Sequence, residues 1–155
     1  MRSIRKIEPS ESALYLERLE ELIRENIVLP AHALEHYCQQ FSEKDVFDLS
    51  DKWLFLVAVN REGRFEGLIL GSPQEGGVAT IVWLLVDKTS QGTGLGKNLF
   101  EHACKHYLER GAHKIKLTTS EKQTTHFYEK LGMRQEGYHQ NHWWRCDFWA
   151  MGLDL

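Results

Sequence analysis

The chain has 155 residues, 42% of them hydrophobic and 26% charged, with a formal net charge of -3 at neutral pH. That length suits one domain spanning residues 1–155, and the composition is ordinary for a soluble protein. The slightly acidic balance gives no general attraction to nucleic acid or to an anionic membrane. Cys38, Cys104 and Cys146 are isolated and odd in number, which points to neither a zinc site nor a disulfide framework. No run approaches the about 18 apolar residues of a spanning helix. The opening MRSIRKIEPSES lacks the apolar stretch of a signal peptide, so a cytoplasmic location is the expectation.

Residues 2–7 alternate as a short strand. Pro9, Ser10, Glu11 and Ser12 then read as a helix start, with a serine cap and acidic residues early. Leu14, Leu16, Leu19, Leu22, Ile23 and Ile27 recur at helical spacing as far as residue 27. A second helix is expected over 31–41, with Leu34, Tyr37, Cys38 and Phe41 on one face. The run 53–59 (WLFLVAV) is apolar throughout, as in a strand buried on both faces. A compact turn leads into 65–71 (FEGLILG), which predicts a hairpin, and Gly76-Gly77 leads into the strand 78–86 (VATIVWLLV). Apolar residues at 95, 99, 100, 103, 104, 107 and 108 form a helical stripe ended by Gly111. A strand over 114–119, a short helix over 122–131 closed by Gly132, and strands over 134–141 and 144–154 complete the chain. The order β-α-α-β-β-β-α-β-α-β-β predicts an α/β fold, a mixed sheet with helices on its faces.

Between the third long strand and its helix lies Gln91-Gly92-Thr93-Gly94-Leu95-Gly96-Lys97. Several amides without partners and the positive end of a helix dipole would meet there, a setting for an anion such as pyrophosphate. Glycines at 94 and 96 would let a ligand lie against the main chain, and Lys97 adds a cation at the rim. A Walker A loop needs glycine at 91 and a hydroxyl at 98, where the chain has glutamine and asparagine. A dinucleotide fingerprint needs its third glycine at 97, which is lysine.

What remains is Gln-x-x-Gly-x-Gly, preceded by Val86 and followed about thirty residues later by Phe127-Tyr128-Glu129-Lys130-Leu131-Gly132-Met133. These two segments, in this order, resemble the signatures of the GNAT superfamily of acetyl-CoA-dependent N-acetyltransferases. The resemblance implies a mixed, mostly antiparallel sheet of about six to seven strands. It implies that Gln91, Gly92, Thr93, Gly94, Leu95, Gly96 and Lys97 hold the CoA pyrophosphate, and that the strand ending Leu85-Val86 splays from 114–119 to pair with pantetheine. It also implies that Tyr128 protonates the departing thiolate, and a phenol near a thioester sulfur suits that task. Met133 stands where the family has phenylalanine, and Glu121 where many members have asparagine.

Amine acylation needs a neutral amine, so a general base is often present. Relatives carry a glutamate on the strand at 80–85, which here reads TIVWLL. The base is therefore unassigned, with Glu66 and His139 as candidates beside His142 and His126. Trp83 would shape the acceptor pocket. The resemblance implies that the cluster Tyr138 to Trp144, with the first two helices, borders the acceptor site; its tryptophans would receive an amine or an aromatic acceptor, or form a core patch or homodimer interface. His139 and His142 lack a third ligand, so no metal is expected. The leading expectation is acetyl transfer to a primary amine of a small molecule or protein. The alternative is a non-catalytic acyl-CoA-binding sensor, favoured by the missing strand glutamate.

Overall fold

The computed structural model describes residues 2–155. Strand β1 (Ser3–Lys6) is followed by helices α1 (Ser12–Asn26), α2 (Ala31–Cys38) and α3 (Glu43–Leu49). Then come β2 (Leu54–Val59), β3 (Phe65–Gly71), β4 (Val78–Val86), α4 (Leu95–Glu109), β5 (Lys114–Thr119), α5 (Lys122–Lys130), β6 (Arg134–His139) and β7 (Phe148–Asp154). The strands form one seven-stranded sheet in the order β1-β2-β3-β4-β5-β7-β6. Only β4 and β5 run parallel; every other pair is antiparallel. This is the α/β fold, with its mostly antiparallel mixed sheet, that the sequence and its resemblance led us to expect.

Two segments differ from expectation. The helix expected over 31–41 ends at Cys38, and α3 was not foreseen. Ser42 Oγ accepts from the Asp45 amide at 3.1 Å while Asp45 Oδ2 accepts from the Ser42 amide at 2.8 Å. That reciprocal cap starts a new helix at this point. Phe41 lies in the intervening turn and packs edge-on against Trp53 at 5.4 Å. The last two strands are also shorter than expected, stopping at His139 and resuming at Phe148. Asn141, Trp144 and Arg145 have φ of 49°, 60° and 60°, a left-handed backbone that no strand accommodates. Asp147 braces this connection, accepting from the Asn141 amide at 2.8 Å and the Tyr138 hydroxyl at 2.7 Å.

The sheet separates two cores. On one face α4 and α5 pack through Leu99, Phe100, Ala103 and Tyr128 against Leu56, Ile69, Ile115 and Met151. On the other, α1 and α3 pack through Tyr15, Leu22, Ile23 and Val46 against Phe55, Val57 and Leu68. Tyr15 is fully buried, and its hydroxyl donates to the Ile69 carbonyl at 2.8 Å, which satisfies the one polar atom it takes inside. No helix among the described residues is long and apolar enough to cross a membrane.

Strand β4 carries a bulge that positions everything downstream. Gly71 faces Ile81 and Leu70 faces Trp83, so Val82 is an extra residue. Before it, Ala79 and Ile81 point to the α4 core; after it, Leu84 and Val86 do, while Leu85 joins the α1 core. A bulge bends its strand and increases the local twist. Pairing of β4 with β5 covers only Val78↔Lys114, Ala79↔Ile115 and Thr80↔Lys116. Beyond Thr80 the two strands part.

Candidate functional site

The parting of β4 from β5 opens a cleft of about 810 Å³, lined by Ile81 to Val86 on one side and Leu117 to Thr119 on the other. Gln91, Gly92 and Gly96 border one end, with Phe127 and Tyr128 of α5 alongside. Small-molecule pockets typically enclose about 300–1,000 Å³, so this cleft has room for an extended ligand. Along β4 the hydrogen-bonding edge opposite β3 is free of β5 from Ile81 onward. An amide-bearing chain can therefore lie there as an added strand.

The loop is shaped by its glycines. Gly92 and Gly94 have φ of 75° and 85°, which side-chain-bearing residues adopt only with strain. Gly94 is the residue before α4, and the helix's first backbone bond runs from the Asn98 amide to its carbonyl at 3.0 Å. The amides of Leu95, Gly96 and Lys97 thus precede any intrahelical partner and carry the positive end of the α4 dipole. Gly96 has a different reason. A Cβ there would lie 3.2 Å from Phe127 Cζ, so its hydrogen lets the two signature segments touch.

Side chains hold this loop against α1. Gln91 Nε2 donates to Asn26 Oδ1 at 2.7 Å and to the Val86 carbonyl at 3.2 Å. The Lys88 amide donates to Glu25 Oε1 at 3.2 Å. Deeper in, Arg18 Nη2 donates to Asp87 Oδ2 at 2.6 Å and its Nε to the Phe65 carbonyl at 2.7 Å. Asp87 also accepts from Thr89 N and Oγ1, at 3.1 and 3.0 Å. Burial, the largest influence on Asp87, pushes its pKa up; the Thr89 hydrogen bonds and the Arg18 and Arg64 charges outweigh it and hold it below the ordinary value.

Of the loop and strand residues named from the sequence, Leu85, Val86, Gln91, Gly92 and Gly96 line the cleft. Thr93, Gly94 and Leu95 shape the turn, and Leu95 is buried in the α4 core. Lys97 is exposed, its Nζ 3.8 Å from Glu101 Oε1. Tyr128 is buried yet lines the cleft, and burial raises its hydroxyl well above the ordinary pKa. Glu66 lies outside the lining residues. Arg2 and Asn60 hold its carboxylate, and the Arg2 hydrogen bond is the main cause of its lowered pKa. His139 is exposed at the sheet edge, stacked on His142 at 4.7 Å. Among the described residues no group of three His, Cys, Asp or Glu is disposed to hold a metal ion.

Trp83 lines the cleft and meets Tyr37 of α2 edge-on at 5.2 Å. Sequence reasoning did not foresee Glu25, Asn26 or Tyr37 there. Their helices read as amphipathic cover, and nothing in the helical period marks which residues reach past the sheet edge.

Comparison with known proteins agrees with this geometry. The model of the acetyltransferase (GNAT) family matches residues 16–133. Among solved structures, an acetyltransferase of the GNAT family from Streptococcus pneumoniae superposes with a TM-score of 0.80 at 19% identity, over 100% of both chains. The ribosomal-protein-S18-alanine N-acetyltransferase from Escherichia coli gives 0.75 at 21% identity, over 99% of this chain and 94% of that one. The PaiA N-acetyltransferase from Thermoplasma acidophilum, in complex with coenzyme A, gives 0.77 at 16% identity, over 100% of this chain and 99% of that one. At such identities the likeness is one of fold. Among curated protein sequences none matches the chain. With a family model covering most of its length, the chain belongs to the acetyltransferase (GNAT) family.

Proposed function

We propose that this protein is a single-domain N-acetyltransferase that moves an acetyl group from acetyl-CoA to a primary amine. The observation that carries this reading is the convergence in one cleft of an amide-rich helix start, a free β4 edge and the Tyr128 hydroxyl. Acetyl-CoA, the acyl donor of the family, would supply the activated acetyl group. The fit rests on two features of this chain: left-handed glycines that present the loop amides, and a β4 edge that β5 leaves free from Ile81 onward.

In this reading the amides from Gly92 to Lys97 bind the pyrophosphate, and Leu85 and Val86 align the pantetheine arm through main-chain hydrogen bonds. The Val86 amide is the donor best sited to polarise the thioester carbonyl. Transfer makes one N–C bond and breaks one C–S bond. A proton leaves the amine nitrogen, and one is delivered to sulfur by Tyr128. Burial raises the pKa of that phenol, which favours its protonated, proton-donating form. Glu66 and His139 stand outside the cleft lining, which supports loss of the amine's proton to water rather than to either of them. The rate should then climb with pH towards the amine's own pKa.

The test is release of free thiol from acetyl-CoA by the intact protein across a panel of primary amines. Thiol release that depends on the amine, with a matching acetylated product, supports the reading. The absence of a carboxylate on β4 favours one alternative, a binding module that senses acyl-CoA. Tight CoA binding without thiol release from any amine would establish that alternative.

A further inference from the structure

The connection between β6 and β7 places two adjacent tryptophans on opposite tasks. Trp144 reaches α2, where its Nε1 donates to the Tyr37 hydroxyl at 3.0 Å. Its ring also lies 5.4 Å from His32, 5.2 Å from His36 and 5.9 Å from Tyr37. Trp143 instead borders the cleft and packs edge-on against Phe148 at 5.2 Å. A left-handed backbone at Trp144, with φ 60° and ψ 23°, separates the two rings. A tryptophan seldom adopts that conformation unless its surroundings hold it there. The contacts with α2 are what hold it.

The result is a clasp between α2 and the β6–β7 connection, next to the cleft. Tyr37, Trp83, Trp143 and Phe148 line that part of the cleft. The carboxylates lining the cleft among the described residues are Glu25 and Glu121. Glu25 accepts from Lys88 beside the CoA loop, and Glu121 precedes α5. The aromatic part therefore offers four rings with one carboxylate near them, Glu121, which follows β5 where Thr119 pairs with Trp149 beside Phe148. A polyamine or a lysine-rich segment needs carboxylates, whereas a flat aromatic body needs rings around it.

We infer that the acceptor is a small arylalkylamine, received among Tyr37, Trp83, Trp143 and Phe148. This rests on the acetyl-transfer reading above. The nitrogen would point towards the β4 edge and the ring towards Trp143.

The experiment uses the full chain with acetyl-CoA and three probes: phenethylamine, spermidine and a lysine-containing peptide. The expected kcat/KM for phenethylamine exceeds the other two by about tenfold or more. Trp143→Ala should lower that advantage about tenfold through KM, leaving the acetyl-CoA Kd unchanged. Preference of the wild type for spermidine or peptide overturns the inference, as does an equal loss on all three probes in Trp143→Ala. Calorimetry of phenethylamine with the CoA-loaded protein separates the two proposals. Trp143-dependent binding without thiol release keeps the aromatic site and overturns acetyl transfer; neither binding nor turnover overturns the aromatic acceptor.

Discussion

Tyr128 owes its proposed role to being nearly enclosed while still lining the cleft. Removing its hydroxyl takes away a proton donor and leaves the ring packing against Phe100 and Phe127 in place. Tyr128→Phe is therefore expected to lower kcat by about 10²-fold, with acetyl-CoA affinity and melting temperature little changed. A variant as fast as wild type in steady-state thiol release would remove Tyr128 from the chemistry. Gly94 makes the complementary case, since its demand is conformational. With φ at 85°, Gly94→Ala should destabilise the fold by about 1 kcal/mol and weaken acetyl-CoA binding as the turn relaxes. Urea titration and calorimetry together would separate those two effects.

The elements are held at the site by contacts that link distant parts of the chain. Arg18 on α1 and Asp87 at the end of β4 are both buried, and Arg64 reaches the same carboxylate at 3.0 Å. Replacing Arg18 with methionine keeps most of the volume but removes the closest cation. A fully orphaned buried charge costs about 3–5 kcal/mol. Arg64 and Thr89 remain here, so we expect about 2–3 kcal/mol, read as a lower urea midpoint at unchanged slope. Acetyl-CoA binding should weaken too, because Asp87 sets the start of the loop. The Val82 bulge acts at the same scale. It reverses the inward face of β4, and its bend accompanies the parting from β5. Sequence alternation across VATIVWLLV is too uniformly apolar to reveal it. The Ser42-x-x-Asp45 cap, by contrast, is a local signal that stands in the sequence directly after the helix expected over 31–41, and it was not foreseen.

At the scale of the whole molecule, one core ties the two halves of the sheet together. Leu56 and Ile69 of the first half share it with Ile115 and Met151 of the second. His106 of α4 sits beside this core, against the Tyr107 ring at 5.2 Å. Burial first, then the Arg110 and Lys6 charges, lower its pKa from 6.5 to about 4. The folded state thus prefers the neutral ring, and the unfolded chain binds the extra proton between those values. The stability this contributes is present above pH 6.5 and is lost as the pH falls towards about 4. His106→Gln should flatten that part of the stability profile in urea titrations. An unchanged slope would locate the proton uptake elsewhere.

The sequence alone pointed to the donor side proposed for this protein. Loop glycines, the residue after them and the aromatic-Tyr-Glu-Lys segment act over a few neighbouring residues, so their spacing carries their meaning. The order of strands and helices followed for the same reason, since apolar period and turn residues are local signals. The acceptor side proposed here rests on tertiary structure alone. Tyr37, Trp83 and Trp144 lie on three elements as much as 107 residues apart. Glu25 and Asn26 meet the loop at Lys88 and Gln91 only because α1 ends where β4 does. Nothing in the local pattern around any of them records the others, because their meeting depends on how the bulged strand, α2 and the last connection pack.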